Sequence, residues 1–208
     1  MIRRVSSALL LVFLTLSLWG SGQTQGLSTL QQAIASGEVN ARFYGTGSSS
    51  GESVMVDVSR GPKGARASKT VTVPPGSRLA SADAGAQGMT ILAVAGRATG
   101  ANSYAPSTNI VVPATGVATY MLTAFCAEFH KDNPSSSTQF TLRPPDETMA
   151  CIGKQSQRAA AEVEATQAAV WMYTDHATFG EVNETFSVST QDWDTAKKIA
   201  SACGVTPR

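Results

Sequence analysis

The chain has 208 residues, with 16 basic and 15 acidic side chains and a formal net charge of +1. A balance so close to neutral argues against nucleic acid or an anionic membrane surface as the main partner, because both attract proteins through an excess of Lys and Arg. Only 15% of the residues are charged, and Gly, Ser, Thr and Ala are abundant, as in many exported β-rich proteins.

Residues 1–26 have the pattern of a secretory signal peptide. Arg3 and Arg4 precede an apolar run from Ala8 to Trp19, and small and polar residues follow it. The run is shorter than the roughly 20 residues that a membrane span needs. We therefore expect cleavage, a secreted, extracellular protein and no membrane span in the mature chain. Removing Arg3 and Arg4 from the 16 basic residues leaves 14, against 15 acidic residues.

The first part of the mature chain, residues 27–130, is dominated by strand signals. A short amphipathic stretch, Leu27–Gly37, predicts one or two helical turns that end at the glycine. Runs rich in β-branched and aromatic residues then alternate with turn clusters of Gly, Pro and Ser. These runs are Val39–Tyr44, Ser53–Ser59, Lys69–Val73, Met89–Ala95, Thr108–Val112 and Val117–Phe129. Short strands at this spacing are typical of an antiparallel sandwich or barrel, and we expect a β-sandwich.

Residues 131–208 change in character and predict helices. A helical region is expected to begin at the Pro144-Pro145 pair, and Ser156–Tyr173 has strong helix formers in its first half, Ala159–Glu162. A last helix is expected over Thr190–Ala202. The predicted fold class is therefore α+β, an N-terminal antiparallel β-sandwich followed by a helical C-terminal part. The two parts could form one domain or two small ones.

Gln167 is unusual because it interrupts the apolar stretch ATQAAVWMYTD, residues 165–175. On a helix it shares a face with Val163, Val170, Trp171 and Thr174. A buried amide without partners would cost about 1–3 kcal/mol. Two explanations are open: the amide bonds a backbone group of a neighbouring loop, or it reacts with a cysteine to form a thioester.

The chain has three cysteines, an odd number for an exported protein. Cys126 lies at the end of a predicted strand, in TAFCAEFH, where alternation puts it on one face with Leu122, Ala124 and Glu128. The spacing of cysteines alone cannot fix the pairing. A Cys126–Cys151 disulfide that leaves Cys203 free is one possibility.

The stretch ATQAAVWMYTD resembles the TQxA motif of bacterial thioester domains, which are exported, adhesion-type modules. The matching residues are Thr166, Gln167, Ala169, Val170, Trp171, Tyr173, Thr174 and Asp175. The family also has a cysteine on an earlier strand, which follows an aromatic residue and is often followed by an acid. Phe125, Cys126 and Glu128 fit that description, so the resemblance covers about residues 117–203.

The resemblance implies an internal thioester between Cys126 and Gln167, with Thr166, Trp171, Asp175 and Glu128 in supporting positions. Such a bond could react with an amine on a partner protein or cell surface and leave a covalent link. Because the protein would be consumed in one turnover, this is a reactive binding module and not an enzyme, and it needs no cofactor. With Cys126 reserved for Gln167, the remaining pair would be a Cys151–Cys203 disulfide.

The residues also allow two other functions. The first is a non-covalent exported β-sandwich module, in which Gln167 is structural and Cys126 belongs to a disulfide. The second is a cysteine hydrolase that uses Cys126 with His130 or His176 and Asp175, but the chain has no recognisable nucleophile motif for it. Two histidines without a suitable third ligand also make a poor metal site, so no metal is expected.

Overall fold

The computed structural model describes residues 27–100 and 103–208, so the predicted signal peptide lies outside the described residues. The elements of these ranges, in chain order, are α1 (Leu30–Ala35), β1 (Val39–Gly45), β2 (Glu52–Arg60), β3 (Lys69–Val71), β4 (Ser77–Ser81), β5 (Met89–Gly100), β6 (Ser103–Pro106), β7 (Ile110–Val112), β8 (Val117–Cys126), β9 (Gln139–Pro145), α2 (Glu147–Arg158), α3 (Val163–Thr174), α4 (Phe179–Thr185) and α5 (Thr190–Ala202). None of the helices in these ranges is long and apolar enough to cross a membrane.

Six antiparallel strands form a closed barrel. Their order is β4-β9-β1-β2-β8-β5, and β5 pairs again with β4 to complete the ring. The first part of the 12-residue β5 pairs with β4 and its second part with β6. Closure pairs strand edges that an open sheet would leave exposed.

The barrel corrects the predicted fold class, because a β-sandwich followed by a helical part is wrong. β9 lies beyond residue 130, in the segment predicted to be helical, and it pairs with both β1 and β4. Its sequence, QFTLRPP, has one buried residue, Phe140, and a proline pair that favours a helix start. β9 therefore forms because β1 and β4 pair with it on both sides, since the local sequence preference for a strand is weak.

The predicted helix over Ser156–Tyr173 is two helices in the structure. α2 ends at Arg158, Ala160 has a positive φ of 46°, and α3 begins at Val163. The good helix formers Ala159–Glu162 therefore form a turn, because packing of both helices overrides a propensity of a few tenths of a kcal/mol per residue. The last predicted helix agrees with α5 in both bounds.

The core fills the barrel and continues under the helices. Val54, Val56 and Val58 of β2 are buried opposite Leu122, Tyr120 and Ala118 of β8. On the outside, α2 packs closely on β5, where a Cβ on Gly153 would come within 3.1 Å of the Leu92 side chain. A disulfide between Cys151 and Cys203 links α2 to the end of α5. This frame holds α3 against the end of β8.

Candidate functional site

Gln167 and Cys126 meet where α3 reaches the end of β8. Both residues are 0% exposed. The Gln167 Oε1 accepts a hydrogen bond from the Cys126 N–H at 3.1 Å, and its Nε2 donates one to the Cys126 carbonyl oxygen at 2.8 Å. An N–H can only donate and a carbonyl can only accept, so these two partners fix which way the amide points. The fold thus brings together two predicted site residues that are 41 positions apart.

The end of β8 also forms hydrogen bonds with the loop between β1 and β2. The Cys126 N–H also donates to the Ser49 carbonyl oxygen at 3.1 Å, and the Ala124 N–H donates to the Gly51 carbonyl oxygen at 2.7 Å. The buried Ser53 hydroxyl donates to the Ala124 carbonyl oxygen at 2.8 Å. Cys126 is therefore fixed between a loop and a helix.

The Cys126 thiol is buried and unpaired, because the other two cysteines of the described chain form the Cys151–Cys203 disulfide. This is the pairing that the thioester resemblance implied, and the Cys126–Cys151 alternative is absent. Burial, together with the negative charge of Glu128, raises the pKa of the Cys126 thiol to about 12. At neutral pH the side chain is therefore a neutral thiol, with very little thiolate.

Glu128 has its own set of partners beside the thiol. Its Oε2 accepts the Gly88 N–H at 2.7 Å, and its Oε1 lies 2.5 Å from the Lys131 ammonium. Burial by itself would raise the pKa of Glu128, but the bonds from Lys131 and Gly88 and the charge of Lys131 hold it below its usual value. Glu128 is thus a carboxylate at neutral pH and disfavours the Cys126 thiolate.

Two predicted supporting residues, Thr166 and Asp175, make local hydrogen bonds. The Thr166 hydroxyl donates to the Glu162 carbonyl oxygen at 3.1 Å, in the first turn of α3. Asp175 ends the helix and accepts a 2.6 Å hydrogen bond from the Thr174 hydroxyl. These bonds stabilise the two ends of α3.

Trp171 follows Gln167 by one helical turn and is 4% exposed. Its ring packs edge-on against Phe129, at 5.0 Å between ring centroids, and against Phe186, at 5.4 Å. Its indole N–H is buried and has no hydrogen-bond partner among the described residues. A rigidly held donor one helical turn after Gln167 is therefore unpaired among the described residues.

The positions of the two histidines bear on the cysteine-hydrolase and metal alternatives. His130 packs on the edge of Phe129 at 5.1 Å, and His176 follows α3 with a positive φ of 55°. Within residues 27–100 and 103–208 the Cys126 thiol forms no hydrogen bond with either histidine. The same residues contain no group of three His, Cys, Asp or Glu side chains that could hold a metal ion.

Three residues of the site carry no signal that the sequence could have shown. Ser49 contributes only its carbonyl oxygen, and Gly88 contributes its N–H at a position where a Cβ would lie 2.9 Å from the Leu79 carbonyl oxygen. Phe129 contributes a ring from the turn that follows β8. Their roles follow from position in the fold.

Comparisons with protein-family models, with curated proteins and with solved structures found no significant match for this chain.

Proposed function

We propose that the chain is a secreted, extracellular thioester-domain protein in which Cys126 and Gln167 form an internal thioester. The observation that carries this proposal is the placement of the buried Gln167 amide on both backbone groups of a buried, unpaired cysteine. If Gln167 served only to anchor α3 to β8, the backbone of residue 126 would be sufficient. The side chain at that position is instead the one that is both a good nucleophile and a good leaving group towards an acyl carbon.

We propose the following route to the bond. The Cys126 Sγ attacks the Gln167 Cδ, the new Sγ–Cδ bond forms, the Cδ–Nε2 bond breaks, and the nitrogen leaves as ammonia with the thiol proton. Negative charge develops on the Gln167 Oε1 during attack. The Cys126 N–H, which already donates to that oxygen at 3.1 Å, stabilises the charge.

The surroundings set the rate and the lifetime of the bond. Because the pKa of Cys126 is raised to about 12, the attacking thiolate is scarce at neutral pH and condensation is slow. Once formed, the thioester lies in a buried site that excludes water, and this protects it from hydrolysis. Slow hydrolysis suits an acyl group that is kept for one reaction.

The reaction with a partner consumes the acyl group. A neutral primary amine, such as a lysine side chain on a protein or cell surface, attacks the Gln167 Cδ. An amide bond forms, the Cδ–Sγ bond breaks, and a proton of the amine goes to the Cys126 sulfur, which is released as the thiol. The product is a covalent crosslink, as expected of an adhesion-type module, and the protein does not turn over.

Intact-mass measurement of the purified mature protein tests the proposal. We expect the wild-type mass to lie below the sequence mass by one ammonia in addition to the two hydrogens of the disulfide. Methylamine should remove the ammonia deficit and leave one methylamide in its place. Cys126→Ala and Gln167→Ala should show neither effect, and Gln167→Glu is the matched variant that keeps the side-chain shape without an amide to lose.

One specific observation favours a second candidate, a non-covalent exported binding module. Both hydrogen-bonding groups of the Gln167 amide are satisfied by the Cys126 backbone, so a purely structural tether is complete as it stands. The same mass experiment separates the two candidates. A wild-type protein that has lost only the disulfide hydrogens, and whose mass methylamine does not change, would assign Gln167 to the tether.

A further inference from the structure

A cavity of about 410 Å³ lies between the barrel and the start of α2, and three parts of the chain form its wall. β4 and β9 contribute Arg78 and Arg143, the start of α2 contributes Asp146 and Met149, and the segment after β8 contributes Glu128. We call it the Arg78–Arg143 cavity. Its volume is within the range of sites that bind small organic molecules.

Arg78 and Arg143 are directly opposite each other in the antiparallel pair of β4 and β9. Alternation along β4 buries the neighbouring Leu79 in the core and leaves Arg78 exposed, so the Arg78 side chain lies on the outer face of the barrel. Arg143 is exposed as well. Side chains at opposed positions of a strand pair are neighbours, and two like charges there destabilise the sheet. A bound anion would relieve this repulsion.

Neither arginine has an anionic partner within the part of the chain that the structure describes. All four ion pairs found there join other side chains. A guanidinium holds five N–H donors in a fixed, planar fork and stays charged at any ordinary pH. Two such forks on the wall of one cavity are therefore available to an anionic ligand.

The two carboxylates of the same wall have partners of their own. Asp146 accepts the Met149 N–H at 2.9 Å and the Tyr173 hydroxyl hydrogen bond at 3.1 Å. Asp146 is the N-cap of α2, so its charge is balanced by the positive end of the helix dipole. Glu128 is paired with the Lys131 ammonium. The charge that the protein leaves unbalanced in the cavity is therefore that of the two arginines.

From this arrangement we infer that the Arg78–Arg143 cavity binds the carboxylate group of a small organic acid. A planar carboxylate matches the fork of a guanidinium and accepts two parallel hydrogen bonds from it. A single negative charge suits the site better than the double charge of a phosphate group, because Asp146 and Glu128 lie on the same wall. Met149 gives the wall an apolar part for the carbon chain of the acid. The inference does not depend on the proposed thioester.

Binding of hexanoate to the purified mature protein tests the inference. In the proton–nitrogen-15 spectrum, backbone amide and arginine Nε–H signals of the cavity should shift to saturation, with a dissociation constant on the order of 1 mM. Arg78→Gln and Arg143→Gln should each weaken binding by about tenfold, since each removes a charge-assisted hydrogen bond. Arg97→Gln is the matched control and should bind as the wild type does, because Arg97 is an exposed arginine of β5 outside the cavity.

Two further ligands test which chemical group is recognised. Hexanamide has the same carbon chain without the charge and should bind about tenfold more weakly than hexanoate. Inorganic phosphate separates a general anion site from a carboxylate site, and it should also bind more weakly than hexanoate. The inference would be overturned by any of four results: no saturable shift with hexanoate, equal affinity for hexanamide, tighter binding of phosphate, or unchanged hexanoate affinity in both arginine variants.

Unfolding in urea separates a loss of binding from a loss of the fold. Without ligand, Arg78→Gln should unfold at a urea concentration at least as high as the wild type, because the variant removes a like-charge repulsion. Hexanoate should then raise the midpoint of the wild type by more than that of Arg78→Gln. An equal rise in the two proteins would contradict binding at the arginines. A lower midpoint of Arg78→Gln without ligand would show that Arg78 has a structural partner, and would contradict the unpaired charge.

Discussion

Two buried polar side chains, Tyr120 and Gln167, connect the ends of β8 to neighbouring elements through the same pattern of hydrogen bonds. Near one end the Tyr120 hydroxyl accepts the Val111 N–H at 2.9 Å and donates to the Val111 carbonyl oxygen at 3.1 Å. At the other end the Gln167 amide bonds the N–H and the carbonyl oxygen of Cys126. In both cases one side chain satisfies both backbone groups of one residue.

The two ties differ in chemistry and not in geometry. Tyr120 offers a phenol to Val111, a pair with no reaction available to it. Gln167 offers an acyl carbon to a residue that carries a thiol. The comparison teaches that satisfied hydrogen bonds neither require nor exclude a reactive role, because the same contacts serve both. The difference between the two ends of β8 lies in the side chain of Cys126.

The largest difference between the two ends of β8 should come from the Cys151–Cys203 disulfide, which stabilises only the end that contacts Gln167. In Cys151→Ser/Cys203→Ser we expect the free energy of unfolding to fall by about 4 kcal/mol, because a 52-residue loop is no longer closed in the unfolded chain. Denaturant unfolding measures this loss. Amide hydrogen exchange should increase more at Cys126 than at Val111, and an equal increase at the two positions would contradict a local brace.

The next prediction compares the hydrogen bonds of Gln167 with those of Tyr120, in a Cys126→Ala background that removes any thioester. Gln167→Ala should lower the free energy of unfolding by about 3 kcal/mol, because it leaves a cavity and an unpaired buried carbonyl group. Tyr120→Phe keeps the ring and should cost about 1 kcal/mol. Denaturant unfolding of both variants decides the order. A larger loss in Tyr120→Phe would show that the amide is not the main support of the helical layer.

The last effect is absent at neutral pH and is therefore the smallest under ordinary conditions: a pH dependence at the Cys126 end that appears only above pH 9. Folding raises the pKa of this thiol from 9.0 to about 12, so the folded state holds the proton more tightly than the unfolded state. The resulting stability is complete below pH 9 and is lost as the pH rises from 9 to 12, by about 1.4 kcal/mol per pH unit. Unfolding free energies of the free-thiol protein and of Cys126→Ala should therefore converge over that window.

A parallel pH dependence in the two proteins would contradict the raised pKa of Cys126. The pair to compare is matched, because all other titrating groups are common to both chains. The thiol must be free in the wild-type sample, and intact mass after methylamine treatment establishes that state.

Several parts of the fold could be predicted because they are local. The run SVMVDVS forms most of β2, and from Val54 onward its buried valines alternate with partly exposed residues. α5 has a Ser189 N-cap, whose hydroxyl accepts the Asp192 N–H at 3.1 Å, and the helix follows the predicted bounds. β9 could not be predicted, because its seven residues hold one buried side chain and depend on pairing with β1 and β4.

The candidate site divides in the same way. The sequence by itself showed that Gln167 interrupts an apolar helix face and that an odd cysteine needs an explanation. Only the tertiary structure decided that the amide reaches Cys126, that Cys151 and Cys203 pair, and that six strands close into a barrel. The physical reason is that periodicity and composition act over a few residues, whereas strand pairing and the contact of α3 with β8 join residues tens of positions apart.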